Sequence, residues 1–96
     1  MQLQLSQSII RKAIPKTSNR CPVALTLKSH EQISHANVGI NSTNIILNRT
    51  TYQLTNDDPL FRFIRAFDNK KEVEPGTITI DIANEYIHYK PESEAH

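Results

Sequence analysis

Three sets of residues in this 96-residue chain have the types and spacing for chemistry. Cys21 lies between Arg20 and Pro22. At the start of a helix, the dipole and the neighbouring cation would both favour thiolate, the nucleophilic state of cysteine. No His–Asp partner is evident beside it, so the competing reading is a small side chain packed under a helix start. His30 and His35 stand five positions apart. A helix would turn those imidazoles about 140° from one another, whereas zinc-binding helices use i, i+4. They read as surface histidines, joined by His88 or His96 only through an accident of the fold. The third set is Arg49, Tyr52, Arg62 and Arg65, the candidate ligand-binding residues. Arg62 and Arg65 are neighbours on one helix face. With Arg49 and Tyr52 on the preceding strand they could grip a phosphate, since guanidinium forks bind it bidentately and tyrosine stacks on a base. The plainer reading is a solvated face whose arginines pair with Asp68 or Glu72.

The sequence offers no catalytic constellation beyond these, and no metal or cofactor is expected. Gly39 and Gly76 are too far apart for a glycine-rich phosphate loop. Asp57 and Asp58 precede a helix, where acids are expected for capping and dipole reasons.

The element that must position the arginines is the clearest in the chain. Leu60, Phe63, Ile64 and Phe67 fall at i, i+3, i+4 and i+7, the apolar stripe of an α-helix. Asp58 is expected as its N-cap and Pro59 as its first helical residue. Before it, Gln2–Leu5 alternates like a short strand, and Ser6 caps a helix running through Ile9, Ile10, Ala13 and Ile14 until Pro15 stops it. Cys21–Lys28 fits either strand alternation or a proline-led helix; a helix over about 22–32 is the expectation. Three β-prone runs follow, 37–40, 43–47 and 51–54, with turn chemistry between them. Thr77–Ile82 is the cleanest strand, and Tyr86–Tyr89 reads as an edge strand after it. The order predicts an α+β domain over residues 1–90, a small mostly antiparallel sheet with two or three helices packed on one face. Residues 91–96 read as a flexible acidic tail.

Composition bounds the rest. No apolar run approaches the roughly 20 residues of a membrane span, and no signal-peptide pattern opens the chain, so a cytoplasmic location is the default expectation. The single cysteine fits a reducing compartment. Charge is uneven. Residues 1–30 carry five cations and no acid, whereas residues 72–96 carry six acids against Lys90. Such asymmetry points to an anionic partner for the front half, to pairing of the two ends, or to ordinary solvated faces.

Cys21-Pro22-Val23-Ala24-Leu25, Phe63-Ile64-Arg65-Ala66-Phe67-Asp68 and Val73-Glu74-Pro75 resemble a group of small uncharacterised bacterial and phage proteins. That group shows a Cys-Pro-apolar-Ala-Leu helix start and a Phe-Ile-x-x-Phe-Asp helix. The resemblance spans residues 2–82, with Asp68-Asn69 standing where Asp-Gly is usual and Gly76 where an aromatic is usual. It implies a helix at Cys21-Pro22 and a phage or prophage source, and it supplies no catalytic residue. The leading functional expectation is a small non-enzymatic binding module, a phage accessory protein that captures or inhibits a host component such as a defence protein. The alternative is an anion binder recognising a nucleotide signal or nucleic acid through the arginine face. An enzyme using Cys21 ranks third. A homodimer is expected through an exposed strand edge near Thr43–Leu47 or Tyr86–Tyr89.

Overall fold

Local sequence signals set most of the elements in the computed structural model, which describes residues 1–94. Strand β1 (Gln2–Leu5) leads into helix α1 (Gln7–Lys12), whose N-cap Ser6 accepts the Ile9 N–H at 3.2 Å. The helix ends at Lys12 rather than Ile14, because a residue before proline avoids the α region and Ala13 is already extended. Helix α2 (Pro22–Lys28) takes Cys21 as its N-cap. It stops four residues short of the expected Gln32, with Ser29 as C-cap.

Strand β2 (Ile33–Val38) begins earlier than the expected Asn37. A bulge between Ile33 and His35 puts Ile33 and Ala36 on one face despite their odd spacing, which hides the alternation. Strand β3 (Ser42–Leu47) and strand β4 (Thr50–Asn56) form a hairpin with Leu47 opposite Thr50. Asn48 and Arg49, both at positive φ, make its two-residue turn. Helix α3 (Asp58–Asp68) follows. Its cap is Asp57, not Asp58, so Pro59 takes the second helical position. Strands β5 (Gly76–Asp81) and β6 (Tyr86–Pro91) complete the sheet. Pro91 therefore closes a strand and Glu92–Glu94 form a 3-10 turn, where the sequence placed the first part of a tail. Residues 95 and 96 lie outside the described residues.

The fold is α+β, and its six strands run in the order β1-β5-β6-β4-β3-β2. The sheet is mixed rather than purely antiparallel, since β4 and β6 pair in parallel through Thr55↔Tyr86 and Asn56↔Ile87. That crossover puts β6 in the middle of the sheet, and β3 is interior too. Neither segment expected as an exposed edge is one; β1 and β2 are the edge strands. The free side of β2 is partly guarded, because Val38 N–H donates to the Ser18 carbonyl at 2.7 Å. Helix α2 touches both edge strands, so the sheet curls around its own core. Leu5, Leu27, Ile45, Leu54, Leu60, Ile78 and Ile87 are fully buried in one continuous cluster. No helix among the described residues is long and apolar enough to cross a membrane.

Candidate binding groove on helix α3

The stripe read from the sequence does what amphipathicity requires. Leu60, Phe63, Ile64 and Phe67 are buried, which turns Arg62 and Arg65 outward. The register of this helix is held by Asp57, whose carboxylate accepts the Leu60 N–H at 2.9 Å and the Tyr89 N–H at 3.4 Å. Its second oxygen lies 3.1 Å from His88 Nδ1. One side chain thus caps α3 and ties it to β6, just where β4 stops pairing.

Two of the four candidate residues come together. Arg62 and Arg65 line a groove of about 390 Å³ with Phe61, Ala66, Asn69 and Lys71. The Arg65 guanidinium sits 5.7 Å from the centre of the half-buried Phe61 ring, within cation–π range. Arg62 pairs with Asp58 one turn earlier at 2.7 Å, but both side chains are more than 60% exposed, at 78% and 64%. Water screens such a pair, and its worth is about 0.3–0.5 kcal/mol. An anion entering the groove can therefore recruit Arg62 at small cost.

Lys71 is the cation that the sequence did not single out. After Asn69, the Lys70 N–H donates to Phe67 O at 3.0 Å and the Lys71 N–H to Ala66 O at 2.9 Å. This is a Schellman ending with Lys70 at the left-handed position, φ 60°. It folds Lys71 back alongside the last turns of the helix and so into the groove. A glycine at position 70 would have announced such a turn; a lysine there conceals it.

Arg49 and Tyr52 line neither this groove nor its neighbour. Arg49 is exposed in the tight turn between β3 and β4. Tyr52 shares the parity of Leu54 and Asn56 on β4, so it is half-buried against the core. The histidines are not helical: His30 lies in a turn, its Nδ1 accepting the Gln32 N–H at 3.1 Å, and His35 is on β2.

For Cys21 the structure favours the packed side chain over the thiolate. It is the expected residue at a helix start, and its Sγ accepts the Ala24 N–H at 3.4 Å. The side chain is buried, however, and burial pushes the thiol up from its ordinary value, with the Asp68 carboxylate adding to the rise. The N–H groups of Ala24 and Val23 pull the other way and are outweighed. The geometry therefore keeps a protonated thiol packed under α2.

A second cleft, of about 310 Å³, opens on the other side of Arg62. Beneath it lies the buried Phe63–Tyr89 ring pair, with centroids 4.7 Å apart. The Tyr89 hydroxyl donates to the Glu74 carbonyl at 2.8 Å. Its ring leans over Gly76, where an added Cβ would come within 2.7 Å of Tyr89 Cε1 and would also strike the Lys90 carbonyl. A side chain at position 76 would clash with its strand neighbour and with this ring, so the glycine is set by packing.

No family model, curated protein or solved structure matches the chain.

Proposed function

We propose that this chain is a small non-enzymatic binding module that captures a phosphate-bearing ligand of nucleotide size on the outer side of α3. The observation that carries this reading is the convergence of Arg62, Arg65 and Lys71 on one groove beside Phe61. Arg65 supplies a planar fork already oriented by the ring, Lys71 a compact charge, and Asn69 a neutral hydrogen-bonding group. The groove is shallow, which suits reversible capture better than chemistry on the ligand. The resemblance to small phage proteins supports an accessory role, sequestering a nucleotide signal of the host.

Calorimetric titration with mononucleotides and cyclic dinucleotides at low and moderate salt tests the proposal. Binding should weaken as salt rises and should fall about tenfold or more in Arg65→Ala and in Lys71→Ala, the loss expected for one charge-assisted phosphate contact. Absence of binding at low salt, or unchanged affinity in both variants, would overturn it. Binding to oligonucleotides alone would transfer the groove to nucleic acid.

A further inference from the structure

The two edges of the sheet are protected unequally. On β2, a bulge between Ile33 and His35 breaks the line of the strand, and Ser18 takes up the Val38 N–H. β1 has no such guard. Met1–Leu5 carries no charged side chain and no proline, and it pairs with β5 without a register shift, from Gln2↔Thr79 to Leu5↔Gly76. Which backbone groups stay open follows from Met1. The Ile80 N–H donates to Met1 O at 2.9 Å, and the Met1 amino nitrogen donates to Ile80 O at 3.4 Å, a reciprocal pair. Reciprocal pairs alternate along an antiparallel ladder, so Leu3 and Leu5 bond β5 as Met1 does. Gln2 and Gln4 therefore turn their N–H and C=O groups outward. Among the described residues, no backbone hydrogen bond from outside the ladder reaches those four groups.

The side chains alternate just as regularly. Met1, Leu3 and Leu5 share the parity of the core face; Leu3 packs against the core, whereas Met1 is 43% exposed. Gln2 and Gln4 are exposed on the other face. We propose that β1 is a self-association edge, where a second copy of this chain pairs antiparallel about a two-fold axis through Leu3. A second copy is the occupant because this edge is its own complement. With Leu3 opposite the partner's Leu3, Gln2 meets the partner's Gln4 and Gln4 the partner's Gln2. Both are reciprocal pairs, so every open group on one copy finds its match on the other. Met1 then lies opposite the partner's Leu5, which extends the apolar row across the seam, and no charge opposes a charge. Within Gln2–Leu5 no other antiparallel register satisfies all four groups. The pairing joins the two six-stranded sheets into one. It does not rest on the phosphate groove, whose residues all belong to α3 and the turn after it.

Sedimentation velocity of the full chain, with amide hydrogen exchange at low and high protein concentration, tests the proposal. The seam is short, so a weak dimer is expected, with a Kd on the order of 100 µM. The Gln2 and Gln4 amides should slow at high concentration, while the Ala36 amide, on the outward side of β2 with Val38, should not change. Gln2→Lys/Gln4→Lys sets like charges opposite one another in both pairs and should weaken association about tenfold or more. Gln2→Lys/Gln4→Glu sets opposite charges there and should restore it. Both positions are exposed, and matching urea midpoints establish that the variants are folded. A chain that stays monomeric with exchange at Gln2 and Gln4 unchanged would overturn the proposal. So would parental association in the doubly lysine variant, no recovery in the charge-paired one, or protection at Ala36 in place of Gln2 and Gln4.

Discussion

Helices α2 and α3 both begin with a cap and an early proline, yet they do different work. Pro22, Val23, Ala24, Thr26 and Leu27 of α2 are all buried, and its cap is a thiol accepting one N–H at 3.4 Å. Helix α3 buries only its stripe and is capped by a carboxylate that also holds β6. A helix sunk between two sheet edges has no face left for a ligand. One laid across the middle of the sheet keeps half its circumference, and there the arginines and both clefts are found. Function, on this reading, follows from how deeply a helix is inserted.

Four measurements break or sharpen this contrast. The largest effect belongs to the shared core: Phe63→Ala should lower stability by about 3–5 kcal/mol and Leu27→Ala by about 2–5 kcal/mol in urea titrations. If Leu27→Ala cost far less, α2 would not be the plug described here. Next come the caps. Asp57→Ala should cost about 1–2 kcal/mol, because it frees two N–H groups as well as the dipole interaction. Cys21→Ala should cost less than Asp57→Ala, since a thiol is a weak acceptor; equal losses would erase the distinction.

The third measurement is alkaline stability. Tyr89 titrates near 10 when unfolded and at about 12 when folded, so the native state holds more protons between those values. Its contribution is complete below pH 10 and is lost as pH rises toward 12. Tyr89→Phe should flatten that loss in urea midpoints taken across the window, with the rise at Cys21 leaving a residual slope of the same sign. The smallest effect is Arg62→Ala, at about 0.5 kcal/mol or less, because its ion pair is exposed.

How much of this could be read beforehand depended on whether the signal was local. The stripe of α3 was legible because four large apolar residues at helical spacing admit little else. The start of α2 was legible from Cys21-Pro22, but its end was not. Ser29 and the bulge in β2 replaced the expected periodicities with a helix end and a strand of broken alternation. Arg62 and Arg65 were found because helix geometry makes them neighbours. Tyr52 stands apart from the groove, and its parity with Leu54 on β4 already argued for a ring turned toward the core. Lys71 carried no local mark, since Lys70 stands where a turn-forming glycine would be the usual clue. The central place of β6 was illegible for a different reason: its parallel partner β4 lies beyond an entire helix and another strand, and no short-range pattern encodes such a pairing.

That placement makes assembly wait on synthesis. β6 emerges after every other strand, yet it alone joins the β1–β5 ladder to the three-stranded β2–β3–β4 ladder. A nascent chain that has reached only Asp81 holds two unconnected pieces of sheet, with β4 and β5 each showing a bare edge. Until Tyr86–Pro91 clears the ribosome, those edges are open to the wrong neighbour, and the finished topology exists only after β6 has slotted between them.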